Sequence, residues 1–203
     1  FDGDGCDEVC VGAMTVDNDG SGLYSTGLRH GDALHVGKLV HGREGLQVFG
    51  VHENEGKRVA YLHTPAVAMF DGATGEILWQ DGAGLDAGRG VAADIDPRYP
   101  GAECWCSVGG LRRGDTGAVV SERKPSQCSF IVYWDGDSLS ELLDHTTISK
   151  WDWTKERTTT LLRADGCVWI NGTKGNPCLS ADIFGDWREE VIWASADQKE
   201  LRI

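Results

Sequence analysis

The stretch VAMFDGATGEILW, residues 67–79, decides the fold class. Two short runs rich in apolar residues, 67–70 and 76–79, flank a turn at 71–75 that contains two glycines. Short extended runs on either side of a Gly-rich turn are typical of a β-hairpin. The stretch therefore predicts two neighbouring antiparallel strands.

Strand signals of this kind recur along the chain. Short β-branched or aromatic runs bounded by turn residues lie at 46–51, 58–63, 129–134 and 190–194. Only 137–144 suggests a helical turn, and no long amphipathic helix is visible, which argues against a parallel βαβ sheet. The sequence predicts an all-β fold.

Composition supports the all-β prediction and argues against some classes of partner. The 203 residues are 40% hydrophobic and include 28 glycines but only 5 prolines, as expected for a globular domain with many tight turns. The formal net charge of −13 argues against a nucleic-acid partner, which requires a basic surface. No apolar run approaches the roughly 20 residues that span a bilayer, so no membrane partner is expected. Excess acid either holds cations or simply keeps the protein soluble.

The cysteine pattern leaves two alternatives open. The seven cysteines contain no CxxC pair, so a structural zinc site is not expected. Disulfides can form if the protein is exported, and isolated buried thiols are the alternative. The odd count leaves at least one thiol free or paired outside this segment.

An acidic loop recurs three times, each time with closely spaced aspartates, a Gly or Pro turn and a Glu near the start of a strand. The copies are Asp2, Asp4, Asp7 and Glu8; Asp94, Asp96 and Glu103; and Asp182, Asp186 and Glu189 or Glu190. Residues 39–47 occupy the place of a further copy but lack the acids, with Gln47 in place of the Glu. Repeated small sheets predict propeller blades of about 40–50 residues, roughly four in this chain.

The acidic loops also predict structural calcium. Calcium prefers six to eight oxygen ligands, which closely spaced aspartates and a closing glutamate can supply. A single acidic Gly turn is more often only a solvated turn, but three copies favour metal in at least one. None of them is an EF-hand.

Longer blocks carry a resemblance to a known family. They are GLYSTG (22–27) leading into HGDALH (30–35), VHE (51–53), GRGVAADIDPRYPGAE (88–103), WDGD (134–137), NGTK (171–174), and SAD (180–182) followed by DWREEVI (186–192). On these blocks the chain resembles the polysaccharide lyase family 11 rhamnogalacturonan lyases, nearly from end to end.

The resemblance implies a fold and an activity. It implies an eight-bladed, calcium-binding β-propeller, of which 1–203 would be a partial catalytic domain, truncated at both ends. It implies cleavage of the acidic polysaccharide rhamnogalacturonan, the galacturonate–rhamnose backbone of pectin, by β-elimination. It also implies a bacterial protein that is secreted or held at the cell surface. Half a propeller exposes sheet edges, which self-association would cover.

The resemblance also implies site residues. It places an active-site calcium on His30, Asp32 and Glu53. It places substrate contacts on Asn171, Gly172 and Thr173, and the cations that meet galacturonate carboxylates on Arg89 and Lys174.

The reaction requires groups of this kind. β-Elimination removes the proton at C5 of a uronate, and the adjacent carboxylate makes that proton very weakly acidic. Positive charge must therefore neutralise the carboxylate before a base takes the proton. Arg89 suits the carboxylate because its guanidinium binds with two parallel hydrogen bonds. Lys174 suits the base where neighbouring cations favour its neutral form; this division of roles is a hypothesis.

Several alternatives remain at this stage. His30 on its own would be read as a buried, hydrogen-bonded histidine, and histidine is an uncommon calcium ligand, so a transition metal competes. Residues 171–173 also match an N-glycosylation acceptor or a plain Gly turn. The alternative functions are a non-catalytic, calcium-stabilised propeller that binds pectin or a protein partner, and a purely structural repeat protein.

Overall fold

The computed structural model describes residues 1, 3–53, 64–126 and 129–203. Within these ranges the ordered elements are β-strands, paired antiparallel throughout, and a single-turn 3-10 helix, η1 (Gly172–Lys174). The all-β prediction is confirmed. No helix in the described part is long and apolar enough to cross a membrane. The predicted strand at 58–63, Asp2 and Cys128 lie outside the described residues.

The chain divides into two compact units, 1–93 with 98–124, and 94–97 with 125–203. The first unit holds three sheets whose strands follow one another in chain order. They are β1 (Val9–Val11), β2 (Met14–Val16) and β3 (Gly22–Ser25); β4 (Gly31–Gly37), β5 (Gln47–His52), β6 (Val67–Asp71) and β7 (Ile77–Asp81); and β8 (Gly90–Ala93), β9 (Glu103–Cys106), β10 (Leu111–Arg113) and β11 (Val119–Ser121).

The second unit holds two sheets. In the first of them, strands again pair in chain order: β12 (Phe130–Val132), β13 (Glu141–Asp144), β14 (Thr147–Asp152) and β15 (Arg157–Arg163). In the other, β18 (Glu190–Ser195) pairs with β16 (Cys167–Val168), β17 (Leu179–Ala181) and β19 (Leu201–Arg202).

The hairpin at 67–79 forms as β6 and β7, with Phe70 opposite Ile77. One carboxylate oxygen of Asp71 accepts the backbone N–H groups of Ala73 and Thr74, at 3.1 and 3.0 Å. Gly75 closes the turn at a φ of +73°, a conformation that glycine adopts without steric cost. The same turn residues that signalled the hairpin in the sequence therefore build it.

The predicted helical turn at 137–144 is wrong, because its second half is β13. Leu142 and Leu143 are both fully buried and pair across the sheet with Ser149 and Ile148. Adjacent apolar residues that are buried on opposite faces of a sheet do not alternate with polar ones, so they mimic a helical pattern. The predicted strands at 46–51, 129–134 and 190–194 form as β5, β12 and β18.

The cores lie on the faces of the sheets. Along β5 and β6, Phe49 and Met69 face one buried cluster while Val48 and Phe70 face another, so this sheet is covered on both sides. Fully burying each such side chain contributes about 1.5–3 kcal/mol. In the second unit, a separate cluster is built from Val132, Leu143, Ile148, Val191 and Trp193.

The six described cysteines are free thiols. Cys104 and Cys106 lie two residues apart on β9, and burial raises the pKa of both. Both thiols therefore stay protonated at neutral pH and act as small apolar side chains.

Candidate functional site

Strand pairing brings His30, Asp32 and Glu53 together. Gly31, the first residue of β4, pairs with His52, the last residue of β5, so His30 and Glu53 flank the same pair. The backbone N–H of Glu53 donates to the carbonyl of His30 at 3.3 Å. Residues that are 23 positions apart in the chain thereby meet at one end of the sheet.

A β-bulge determines how Asp32 is presented. Gly31 pairs with His52 and Ala33 with Val51, so Asp32 is an extra residue with no partner on β5. The chain is closely packed at Gly31, since a Cβ there would lie 3.2 Å from the Cα of Gly12 and 3.3 Å from the carbonyl oxygen of Val51. At this bulge the Asp32 carboxylate lies within hydrogen-bonding distance of His30 Nε2.

The three side chains form a group that suits a cation. His30 Nε2 lies 3.1 Å from Asp32 Oδ1 and 3.9 Å from Glu53 Oε2, and one ligand atom from each lies within 4.8 Å of the others. Their side chains are 55%, 23% and 37% exposed, so His30 is not the buried histidine of the alternative interpretation. Two carboxylates and an imidazole can bind calcium, and the imidazole also admits transition metals.

An open hollow of about 360 Å³ lies beside this group. Its lining includes Met14, Ser25, Arg29 and His30. Arg29 is a non-glycine residue at a φ of +74°, an uncommon conformation that turns the chain sharply just before His30. A ligand in this hollow would therefore contact His30.

His52 supports the group from behind, and sequence reasoning did not single it out. It is only 2% exposed, and its Nδ1 lies 3.4 Å from the carbonyl oxygen of His30. Burial lowers the pKa of His52, so the ring is neutral at neutral pH. The only sequence signal that could have found His52 is the presence of a histidine directly after the predicted strand at 46–51.

The predicted substrate loop is closed on itself. Ile170 and Asn176 exchange both backbone hydrogen bonds, at 2.8 and 3.2 Å, and the Asn171 side-chain amide donates to that of Asn176 at 3.2 Å. Between them, η1 carries Gly172, Thr173 and Lys174 on the surface. The sequence signal at 171–174 therefore corresponds to an ordered, exposed turn.

The two predicted cations lie in different units. Lys174, in the second, is exposed, and its ammonium makes no ion pair within the described parts of the chain. Arg89, in the first, is half-buried just before β8, and its carbonyl accepts the N–H of Ser107 at 3.0 Å. The half-buried His35, also missed from sequence, has its Nε2 3.0 Å from the carbonyl oxygen of Gly90, and partial burial lowers its pKa.

Within the described residues, none of the three predicted acidic loops contributes a group of three close ligand atoms. Among the described residues neither Asp4, Asp7 and Glu8 nor the acids of 182–190 form a group of three close ligands. Asp182 accepts the backbone N–H groups of Gly185, Asp186 and Trp187. Glu189 accepts that of Tyr133, and Glu190 accepts those of Ile183 and Phe184. Asp186 forms an ion pair with Arg188. In this loop the carboxylates tie down backbone N–H groups.

The remaining predicted ligands are more deeply buried. Asp96 is fully buried in the second unit beside Asp94, whose Oδ1 has no hydrogen-bond partner among the described residues. Burial and the neighbouring charge of Asp96 raise the pKa of Asp94. Glu103 is fully buried at the start of β9 in the first unit. Gln47, which replaces the expected acid, accepts the N–H of Val40 at 3.0 Å.

Comparison with known proteins decides the family. The family model described as rhamnogalacturonan lyase family 11, C-terminal domain, matches residues 1–203. This chain belongs to rhamnogalacturonan lyase family 11. The resemblance drawn from the sequence blocks is confirmed.

Two curated relatives of this family 11 chain come from Bacillus subtilis (strain 168). It is 50% identical to the rhamnogalacturonan endolyase YesW over 202 residues and 48% identical to the rhamnogalacturonan exolyase YesX over 217. The whole chain is covered, but it spans only 31% and 34% of those two proteins.

Solved structures agree. The crystal structure of YesW matches with a TM-score of 0.90 over 99% of this chain and 33% of its own. The Bacillus licheniformis rhamnogalacturonan lyase PL11 matches with a TM-score of 0.90 and 52% identity, over 100% of this chain and 33% of its own.

The family 11 chain holds a further carboxylate group that sequence reasoning missed. Asp135, Asp137 and Glu141 each offer an oxygen within 4.8 Å of the others. The Lys150 ammonium contacts all three: it donates to Asp137 and Glu141 at 2.8 Å and also to Asp135. A positive charge thus already lies among these carboxylates. The repeated Asp-x-Asp spacing before a strand Glu was the signal that could have found this group.

Proposed function

We propose that this chain is part of a rhamnogalacturonan lyase that cleaves the galacturonate–rhamnose backbone of pectin by calcium-assisted β-elimination. The single observation that carries the proposal is the convergence of His30, Asp32 and Glu53 at one end of a sheet. Family membership supplies the substrate class, because the curated relatives are named rhamnogalacturonan endolyase and exolyase.

The convergent group fits the proposed calcium. Two carboxylates and an imidazole nitrogen lie close together and remain accessible to solvent, and His30 lines an open hollow. Calcium, when bound there, would supply positive charge that offsets the uronate carboxylate. Asp32 and Glu53 would hold the ion, and His30 would complete the group.

The residues of the chain then have distinct tasks in the proposed reaction. Arg89 binds the galacturonate carboxylate, and Asn171, Gly172 and Thr173 orient the sugar. Lys174 takes the proton from C5 in this proposal. The electrons of the C5–H bond form the C4=C5 double bond as the C4–O bond breaks, and the leaving rhamnose oxygen acquires a proton.

The proposed fold is part of a β-propeller. Antiparallel sheets of four strands that follow one another in chain order are the ordinary form of a propeller blade. Three of the five sheets in the described residues have that form, which supports roughly four blades of an eight-bladed catalytic propeller over 1–203. Structural calcium ions would occupy the acidic loops, and the unpartnered Oδ1 of Asp94 supports this for Asp94 and Asp96.

The remaining proposals concern the binding partner, the location and the self-association of the protein. Its partner would be an acidic polysaccharide, which a protein of net charge −13 can approach only with bound cations. A polymer outside the cell requires a secreted or cell-surface enzyme. Self-association would cover any sheet edges that the blades leave open.

Replacing the proposed base tests the proposal. In the full-length gene product, Lys174→Met should lower turnover by roughly 10²–10⁴-fold, the range typical of general-base catalysis. The measurement is the ultraviolet absorbance of the unsaturated uronate after rhamnogalacturonan and calcium are added. Lys199→Met, which removes another exposed lysine of the same unit, is the matched control.

Two outcomes would contradict the assignment. If Lys174→Met keeps most of its turnover, Lys174 is not the base. If the unaltered protein binds rhamnogalacturonan but releases no unsaturated product, the non-catalytic binding function is correct instead.

A further inference from the structure

Trp169 is a large aromatic residue on the surface, directly after β16 and next to the proposed substrate loop. It is 43% exposed, although tryptophan is usually well buried. Its indole N–H donates to the carbonyl of Gly172 at 2.7 Å. The one polar group of the side chain is therefore used internally, and what it presents outward is the apolar ring.

The ring is held in a fixed orientation. The His145 imidazole lies perpendicular to it, with ring centres 4.5 Å apart. His145 is itself anchored: its N–H donates to the carbonyl of Gly175 at 3.2 Å, and its carbonyl accepts the indole N–H of Trp193 at 2.9 Å. Because 43% of Trp169 is exposed, part of the ring surface stays accessible beside this contact.

The loop and the ring form one rigid surface. The hydrogen bonds between Ile170 and Asn176 close the loop at its base, and the indole bonds to a carbonyl at its tip. Gly175 is packed against the β13–β14 turn, since a Cβ there would lie 3.1 Å from both Asp144 Oδ1 and the backbone nitrogen of His145. An immobile ring loses little conformational entropy when a ligand stacks on it.

We propose that Trp169 is a substrate-positioning residue whose exposed ring surface stacks against the rhamnose unit of the polymer. This inference rests on the proposed function. Of the two sugars in the backbone, galacturonate carries a charge that cations recognise, whereas rhamnose is a neutral 6-deoxy sugar with a methyl group. The apolar C–H face of that ring matches an indole whose N–H is already bonded.

The expected effect lies in binding rather than in turnover. Stacking on a sugar that does not lose its proton is equally strong before and during the reaction, and uniform binding of this kind changes KM and leaves kcat unaltered. In the full-length protein, Trp169→Ala should raise KM for rhamnogalacturonan on the order of 10-fold, with kcat within about twofold of wild type.

Two further variants separate stacking from support of the loop. Trp169→Phe keeps an aromatic face but cannot donate to Gly172, so it should retain a KM near the wild-type value. Trp187→Ala removes another exposed indole of the same unit and should leave KM unchanged. If Trp169→Phe raises KM as much as Trp169→Ala does, the indole supports the loop and the stacking proposal is wrong.

Direct binding distinguishes this inference from the proposed function. In a Lys174→Met background, calorimetry should show that Trp169→Ala weakens binding of a rhamnogalacturonan oligosaccharide but not of an oligogalacturonate, which has no rhamnose. Equal losses for both ligands would contradict the assignment to rhamnose, and no loss for either would exclude Trp169 as a contact. Absence of lyase product from the unaltered protein would overturn the proposed function itself.

Discussion

Single residues decide whether an acidic loop of this protein needs a cation from outside. At Asp135, Asp137 and Glu141 the positive charge is supplied by Lys150. Burial alone would lower the pKa of Lys150, but its hydrogen bonds to the three carboxylates raise that pKa well above its ordinary value. Glu141 is only 1% exposed, so its charge depends on that partner. Near Asp32 and Glu53 the neighbouring side chain is the imidazole of His30 rather than a lysine ammonium.

Lys150→Met should therefore be strongly destabilising. It leaves the buried Glu141 carboxylate without its cation, and breaking one side of a largely buried pair costs about 2–4 kcal/mol when water reaches part of the site. The free energy of unfolding from urea titration measures the loss. Lys155→Met, whose ammonium pairs with Asp152 on the surface, should change it little. Equal stability of the two variants would show that Lys150 is dispensable.

Acid should remove the same stabilisation. Burial on its own would raise the pKa of Asp135, but the hydrogen bond and charge of Lys150 and the backbone N–H of Asp137 together lower it, so the carboxyl titrates below its ordinary range. Such a carboxyl stabilises the fold at pH values above the pKa that it has in the unfolded chain, near 3.9. The stabilisation is lost as the pH falls through the lower pKa that it has in the folded protein. The stability difference between wild type and Lys150→Met should therefore shrink as the pH falls below about 4.

At the scale of the element, the sequence predicts local turns, but it does not show which faces of a strand are buried. The hairpin of β6 and β7 follows from Asp71 and Gly75, whose roles depend only on neighbouring residues. The strand β13 was mistaken for a helical turn because Leu142 and Leu143 are buried on opposite faces. Burial on both faces depends on what packs above and below the sheet, which a short sequence window does not contain.

The close packing of β8 against its neighbours predicts that replacing Gly90 is destabilising. A Cβ on Gly90 would lie 2.6 Å from Val51 Cγ2 and 2.7 Å from the carbonyl oxygen of Trp105. Because one of these atoms belongs to backbone, the strand must shift, and Gly90→Ala should cost about 1–3 kcal/mol. Thermal unfolding of Gly90→Ala against Gly22→Ala measures this, since Gly22 is also in a strand but meets nothing within 4 Å. A similar melting temperature for both would mean that β8 packs less tightly.

At the scale of the whole molecule, the candidate site was predictable only in part. The residues His30, Asp32 and Glu53 came from a family resemblance, and the pairing of β4 with β5 explains why they meet. His52 and Lys150 were missed because their importance arises from contacts with residues far along the chain. A composition of many acids and few bases predicts held cations, but it does not show that the Lys150 ammonium contacts three of these carboxylates.

The proposed calcium makes the last prediction, which concerns the intact protein. Removing calcium with a chelator should lower lyase activity on the order of 100-fold or more, because a cation beside a developing anion contributes several kcal/mol. Calcium should restore activity, whereas magnesium, which demands stricter octahedral geometry, should not. The measurement is the rate of unsaturated uronate formation as free calcium is varied.

Asp32→Asn makes this test specific to one site, since a structural calcium elsewhere would also be removed by the chelator. The variant removes one negative charge from the His30 group, so half-maximal activity should require at least roughly 10-fold more calcium. Asp86→Asn, a change at an exposed aspartate of the same unit, should leave the calcium requirement unaltered. If both variants respond to calcium as the wild type does, the calcium that activity requires lies elsewhere, and the convergence of His30, Asp32 and Glu53 needs another explanation.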